Sequence, residues 1–179
     1  MAAANCRTKE ITVGLADCRI SNDPASVLVT HALGSCVAVA IHDPVAGIAG
    51  LLHILLPESS LDPAKAALKP YQFADTGIPL LFYAAYALGA EKKRITVRLV
   101  GGAQILDPDG LFNVGKRNYL ACRKILWAAG MMVHGEDVGG AVSRTAYLEP
   151  AGGRLWWTTP GAAPKEVPVG MSGSKGGTT

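Results

Sequence analysis

No apolar stretch of this sequence approaches the roughly 20 residues that a helix needs to cross a bilayer, and the opening MAAANCRTKE lacks the apolar core of a signal peptide. Charge is also sparse: charged residues make up 17% of the 179 residues, and the formal net charge is +3. The basic residues fall in short clusters without interleaved aromatic residues. We therefore expect a cytoplasmic globular protein that neither inserts into a membrane nor binds nucleic acid.

Motifs for metal or dinucleotide binding are missing as well. The four cysteines show no C-x-x-C spacing, and the four histidines show no paired metal-ligand pattern. Gly101-Gly102 follows a predicted strand but is not part of a G-x-G-x-x-G fingerprint. We expect no metal and no cofactor, with reduced thiols that fit a cytosolic setting.

Length and composition suit a single domain, because 49% of the residues are hydrophobic and the chain is long enough for its own core. We predict a flexible N-terminus over residues 1–10 and one domain over 11–160. Residues 161–179, rich in Gly, Pro and Ser, are predicted to form a disordered tail.

The order of predicted elements indicates a mixed α/β sandwich rather than a doubly wound parallel sheet. Alternating apolar residues predict strands over 11–15, 27–30, 95–100, 131–135, 143–148 and 154–159. Helical periodicity predicts helices over 75–89, with Thr76 as N-cap, and over 114–129, with Asn113 as N-cap. Cys122 falls on the inner face of the second helix, which predicts that it packs in the core.

The stretch from Thr30 to Pro57 reads as a buried β-hairpin around which the rest is organised. If Asp43–Ala46 form a four-residue loop, the register sets Cys36 directly opposite His53 with both side chains on one face. A five-residue loop would shift the pairing by one residue and send His53 to the other face. Loop lengths of both kinds occur, so both registers stay open at this point.

A thiol next to an imidazole can be a nucleophile, since the imidazole lowers the pKa of the thiol and moves protons. Thr30, just upstream, is placed to orient the ring of His53. The backbone N–H groups of Ser35 and Cys36 at the turn are candidates for stabilising the negative charge that develops on a substrate oxygen. The alternative is a small buried cysteine and a core histidine whose hydrogen bonds are satisfied.

These residues resemble the CheD family of chemoreceptor glutamine deamidases, whose T-x-L-G-S-C and H-x-x-L-P segments match 30–36 and 53–57. The first segment carries one extra residue here. Further family-like segments follow in order, namely YQFADTGIPLL at 71–81, VGGA at 100–103, VGKRN at 114–118, and DVGG at 137–140 with Arg144. Gln104 and Val114 depart from the residues that are typical of the family. The likeness spans about residues 13–159.

The resemblance implies a single-domain, three-layer α/β sandwich with hairpin-rich sheets. It implies a cysteine hydrolase in which Cys36 is the nucleophile, His53 the general base and then acid, and Thr30 the orienting hydroxyl. The substrate would be a glutamine on a cytoplasmic helix of a methyl-accepting chemoreceptor, converted to glutamate with release of ammonia.

The expected docking surface is a shallow groove between the Glu58–Pro70 loop and the Gly34 turn, because a helix must be received whole. A CheC-type phosphatase is a second possible partner implied by the resemblance. The alternative function is a non-catalytic adaptor that binds such a phosphatase or the receptor. A redox sensor built on Cys36 is a weaker alternative, because no resolving cysteine lies nearby in the sequence.

Overall fold

A computed structural model describes residues 8–105 and 112–170. The strands are β1 Lys9–Val13, β2 Cys18–Ser21, β3 Ser26–Leu33, β4 Val37–Asp43, β5 Ile48–Ile54, β6 Thr96–Gly101, β7 Val133–Val138, β8 Arg144–Leu148, β9 Leu155–Thr158 and β10 Lys165–Glu166. The helices are α1 Pro63–Leu68, α2 Ala74–Ala87 and α3 Val114–Ala128. No helix among these residues combines the length and apolar character of a membrane span.

Two five-stranded sheets and a layer of helices form an α/β sandwich. The central sheet has the strand order β2-β5-β4-β6-β7, and the outer sheet has the order β1-β3-β8-β9-β10. Most neighbouring strands are antiparallel, whereas β1 with β3 and β6 with β7 are parallel. The predicted single-domain α/β fold with mixed sheets is confirmed.

Strand β4 lies at the middle of the central sheet and is buried on both faces. Val37, Val39 and Ile41 belong to the core cluster shared with α2 and α3, whereas Ala38 and Ala40 belong to the cluster shared with the outer sheet. Alternation along a strand sends neighbouring side chains to opposite faces. Cys122 on α3 is fully buried in the helix-side cluster, as predicted.

The tight turn of the central hairpin lies one residue later than predicted. Asp43 still belongs to β4 and pairs with Ile48, so Pro44–Gly47 form the loop instead of Asp43–Ala46. The carboxylate of Asp43 accepts hydrogen bonds from the backbone N–H groups of Val45, at 2.9 Å, and Ala46, at 3.1 Å. This side-chain turn lets Asp43 end the strand while it organises the loop.

The helix starts differ in detail from the predictions. Helix α2 begins at Ala74, and Thr76 lies within its first turn, where its hydroxyl donates to the carbonyl of Pro70. Asn113 does precede α3, but its side chain makes no capping hydrogen bond to the helix. Its Oδ1 atom instead accepts a hydrogen bond from the side-chain amide of Gln104.

The chain ends contain structure that the sequence did not indicate. Strand β1 begins within the segment expected to be flexible, and β10 lies within the predicted tail, where it pairs with β9. Val167, directly after β10, is buried against the core between the two sheets. Burial of this apolar side chain favours an ordered position for the segment that carries it. The remaining parts of both predictions, residues 1–7 and 171–179, lie outside the described residues.

Candidate active site

The structure brings Thr30, Cys36 and His53 to the interface between the two sheets. His53 on β5 pairs with Ala38 on β4, so the prediction that it pairs with Cys36 is wrong by two residues, because the loop is shifted. Cys36 precedes Ala38 by two residues and therefore shares its face. Cys36 is thus a diagonal neighbour of His53, a separation that cross-strand side chains can span.

Thr30 reaches the site from the outer sheet, where a bulge in β3 adjusts the direction of its neighbours. The register of β3 against β8 shifts between Thr30 and Leu33, and Ala32 within this stretch has a left-handed backbone with φ 57°. Thr30 and Leu33 are both fully buried, although they lie three positions apart and regular strand alternation would send them to opposite faces. The extra residue of the T-x-L-G-S-C-like segment falls within this bulge, which allows both side chains to face inward.

The hydrogen bonds around Thr30 fix the tautomer of His53. The Thr30 hydroxyl donates to the carbonyl of Val13 at 2.9 Å and lies 2.7 Å from Nδ1 of His53. A hydroxyl has one hydrogen and a carbonyl only accepts, so the Thr30 oxygen must accept the hydrogen of Nδ1–H. Nε2 of the neutral ring then carries a lone pair, and this buried atom has no hydrogen-bond partner in the described part of the chain.

Burial keeps both reactive groups neutral. It lowers the pKa of His53 to about 4, so the imidazole is an unprotonated base at neutral pH. Burial also raises the pKa of the Cys36 thiol, and the residue's own backbone N–H only partly offsets this effect. The expectation that the imidazole lowers the pKa of the thiol is therefore wrong, and Cys36 rests as a thiol rather than as a thiolate.

The loop that carries Cys36 is held by the backbone that follows β6. The N–H of Gly102 donates to the carbonyl of Cys36, and the N–H of Ala103 donates to the carbonyl of Gly34, each at 2.7 Å. Gly101 has φ 116°, and a Cβ atom there would overlap the carbonyl oxygen of Cys36. The glycine pair of the sequence therefore permits a close approach of two backbones, which needs a residue without a side chain.

The carbonyl of Ser35 is taken as well, because Nδ2 of Asn118 donates to it at 2.9 Å. By contrast, the N–H groups of Ser35 and Cys36 have no backbone acceptor among the described residues. Sequence reasoning proposed these two N–H groups as donors to a substrate oxygen but did not identify Asn118. The segment VGKRN was singled out, yet no pattern in it indicated a buried amide.

A cleft of about 490 Å³ lies beside Cys36. Its walls are mainly apolar, and among residues 8–105 and 112–170 Cys36 is the only titratable side chain that lines it. Besides the Gly34–Cys36 turn, the lining includes Ala103, Ile105, Phe112, Val114, Gly115 and Ser143. No residue of the Glu58–Pro70 loop is among the described residues that line this cleft, and the docking groove between that loop and the Gly34 turn stays a prediction. No cluster of potential metal ligands occurs within residues 8–105 and 112–170.

The DVGG segment and Arg144 support one rim of the cleft. Arg144 is buried, pairs with Asp137 at 2.9 Å and donates to the carbonyl of Gly139 at 3.0 Å. Burial raises the pKa of Asp137, but a hydrogen bond from Lys165 and the charge of Arg144 bring it below its usual value. In this turn the N–H of Gly139 donates to the carbonyl of Gly101, directly before the Gly102–Ala103 backbone that holds the Cys36 loop.

Comparison with known proteins identifies relatives over most of the chain. The model of a family described as CheD chemotactic sensory transduction matches residues 55–159. A protein of Solibacter usitatus named "Probable chemoreceptor glutamine deamidase CheD" is 50% identical over 89% of this chain and 95% of its own length. Proteins with the same description from Syntrophus aciditrophicus and Anaeromyxobacter dehalogenans are each 46% identical, over 88% and 81% of this chain and 99% and 91% of theirs.

Proposed function

This chain belongs to the CheD family, and from that premise we propose that it is a chemoreceptor glutamine deamidase. It hydrolyses the side-chain amide of glutamine residues in chemoreceptors, which yields glutamate and ammonia. The match covers 95% and 99% of the lengths of two relatives whose names include this activity.

The observation that carries the proposal is the open Nε2 of His53, on the same strand face as the thiol of Cys36. A buried, unpartnered ring nitrogen costs free energy, which a purely structural histidine would avoid by satisfying both nitrogens. Thr30 satisfies Nδ1 and leaves Nε2 to accept a proton. This arrangement is that of a general base beside its nucleophile.

In the first step, the sulfur of Cys36 attacks the carbon of the glutamine carboxamide while Nε2 of His53 takes the thiol proton. His53 then donates this proton to the amide nitrogen, the C–N bond breaks, and ammonia leaves a thioester on Cys36. Because both groups start neutral, proton transfer accompanies the attack and no ion pair is required beforehand.

Negative charge on the carboxamide oxygen needs donors during the attack. We assign this role to the backbone N–H groups of Ser35 and Cys36. They have no backbone acceptor among the described residues, and the bonds from Gly102, Ala103 and Asn118 to the neighbouring carbonyls hold the loop in place. Fixed donors of this kind need no reorganisation when the charge develops.

In the second step, His53 removes a proton from water, and the oxygen attacks the thioester carbon. The C–S bond breaks, the sulfur recovers a proton from His53, and the glutamine site leaves as glutamate. Thr30 keeps the imidazole in one orientation through both steps, since its hydroxyl holds Nδ1.

The cleft favours a glutamine presented on a protein surface over free glutamine. Its lining offers apolar contacts from Ile105, Phe112 and Val114, and none of the lining residues that the structure describes carries a charge to bind the ammonium or carboxylate of a free amino acid. A coupled assay of ammonia release tests this, with a receptor cytoplasmic fragment and free glutamine as alternative substrates. We expect turnover of the fragment only, and efficient turnover of free glutamine would contradict the proposal.

The cytoplasm is proposed as the site of action because the receptor helices lie there.

A CheC-type phosphatase is proposed to bind the same apolar cleft. Ile105 and Phe112 on the cleft rim are exposed, at 40% and 68%, which is consistent with a protein partner. Such a partner should inhibit deamidation competitively. Purely noncompetitive inhibition would place its binding surface elsewhere.

A further inference from the structure

Asn118 on α3 is a fully buried amide that joins two segments of the site. Its Nδ2 atom donates to the carbonyl of Ser35 and to the carbonyl of Leu55, both at 2.9 Å. Ser35 directly precedes Cys36, and Leu55 follows His53 by two residues. One side chain on a helix therefore contacts the neighbours of both reactive residues.

The orientation of this amide is dictated by its partners. Two carbonyl oxygens can be met only by the NH₂ group, because an amide oxygen in the same place would be repelled by both. Oδ1 of Asn118 is consequently left without a partner among the described residues. A buried polar group that is half satisfied is costly, so core packing alone does not account for it. Cys122, one helical turn later, fills its buried position with an apolar thiol.

The pairing between β4 and β5 ends next to the two backbone carbonyls that Asn118 binds. The last pair between β4 and β5 is Val37 with Ile54. Beyond it the strands separate, because the N–H of Leu55 donates to Gln72 instead of to the Cys36 loop. In the described chain no backbone bond connects Gly34–Cys36 with Leu55 or the residues directly after it, and Asn118 bridges this gap.

Helix α3 can reach the gap because its first turn is unusually close to the backbone after β6. A Cβ atom at Gly115 would overlap the carbonyl oxygens of Gly102 and Ala103. Gly115 thus lets the helix approach, and Asn118, almost one turn later, lies beneath the loop. The same Gly102–Ala103 backbone binds the carbonyls on either side of Ser35.

We infer that Asn118 is a positioning residue, which fixes the separation of Cys36 and His53 by binding Ser35 and Leu55 with one amide group. The inference rests on the proposed function, because it assigns Asn118 to the geometry of the thiol–imidazole pair. Among the described residues, the hydrogen bonds of the Asn118 side chain go to backbone carbonyls and not to Cys36 Sγ or His53 Nε2. It acts through the backbone that carries them.

The test measures how strongly the reactivity of Cys36 depends on His53. Alkylation of Cys36 by iodoacetamide is followed by peptide mass spectrometry in the full chain, with and without His53→Ala. General-base assistance predicts that His53→Ala slows alkylation about 10²-fold in the otherwise native protein. In Asn118→Ala, the same substitution should slow it less than about threefold, because the pair is already uncoupled.

Two further variants separate positioning from stability. Asn118→Asp keeps the side-chain volume but loses both donors, so it should also abolish the dependence on His53. Cys122→Ala truncates another buried residue on the same helix. Alkylation of Cys36 in this variant should still depend on His53, even if its melting temperature is lowered. An undiminished dependence on His53 in the folded Asn118 variants, or an equal loss in Cys122→Ala, overturns the inference.

Deamidation of a receptor fragment gives a second readout. In the Asn118 variants, kcat should fall about 10²-fold, with KM within about twofold of the native value. The two proposals fail separately. If the native protein releases no ammonia but the Asn118 variants lose the dependence of alkylation on His53, the proposed function is wrong and the positioning role stands.

Discussion

Thr30 and His53 meet across the two sheets through a hydrogen bond of 2.7 Å, and this contact determines which ring nitrogen is free. The hydrogen of the Thr30 hydroxyl is committed to the carbonyl of Val13. His53 must therefore supply the hydrogen of the shared bond, and its Nε2 stays unprotonated. A threonine on the facing sheet thus leaves Nε2 as the atom available to the proposed base.

Thr30→Val should lower kcat about 10²-fold with little change in KM, because the ring loses its orientation and its preferred tautomer. Thr30→Ser keeps the hydroxyl and should stay within about tenfold of the native rate, since only a methyl group is lost. Steady-state ammonia release from a receptor fragment measures both parameters. A native kcat in Thr30→Val would show that the hydroxyl does not orient the base.

The activity should persist at unusually low pH. Burial lowers the pKa of His53 to about 4, so the base remains neutral throughout the range in which an ordinary histidine becomes protonated. We expect kcat/KM to be flat from neutral pH down to about pH 5 and to fall near pH 4. A midpoint near 6.5 would indicate an exposed histidine and contradict the buried site.

The free energy of unfolding should depend on pH between about 6.5, the pKa of an unfolded histidine, and about 4, the pKa of His53 in the folded chain. Burial lowers the pKa of His53 and of His42 in the folded chain, so unfolding takes up protons as the pH drops. Their contribution is fully present above about pH 6.5, the unfolded value, and is lost progressively as the pH falls toward the folded values. Melting temperatures measured between pH 8 and 4.5 should decline below 6.5. His53→Ala should weaken this decline, and an unchanged curve would contradict it.

Gly101→Ala should disrupt the site more than an equivalent substitution elsewhere. Its Cβ atom would push against the carbonyl of Cys36, so we expect the rate to fall at least about 10²-fold through displacement of the loop. Gly47→Ala is the matched control, with φ 63° and open space around the position. It should cost about 1 kcal/mol of stability and leave the rate unchanged. Equal activity of the two variants would show that the Cys36 loop tolerates displacement.

The sequence predicted the architecture because strong local patterns specify it. Val37, Val39 and Ile41 alternate with small residues, and this pattern predicts a strand that is buried on both faces. Strand β2 and helix α1 were missed, since their short segments lie among turn residues and prolines that favour a loop. Strand β10 was missed because its pairing with β9 depends on tertiary contacts that no local pattern records.

The site was only partly accessible from sequence. Thr30, Cys36 and His53 were identified, and their shared location was anticipated, but the register differed by two residues. The register depended on the carboxylate of Asp43, whose bonds to the loop N–H groups extend β4. Asn118 was inaccessible, because its partners lie 83 and 63 positions away in the chain.

The most direct test of the account is peptide-resolved mass spectrometry of a glutamine-bearing receptor cytoplasmic fragment after incubation with this protein. The native protein and Cys122→Ser should raise the mass of specific glutamine peptides by about one dalton, as amide becomes acid and ammonia leaves. Folded Cys36→Ser and Cys36→Ala should produce no such increase, because a hydroxyl or methyl group cannot replace the sulfur nucleophile. The same mass increase with the Cys36 variants, or its loss only with Cys122→Ser, would contradict the assignment of Cys36 as the nucleophile.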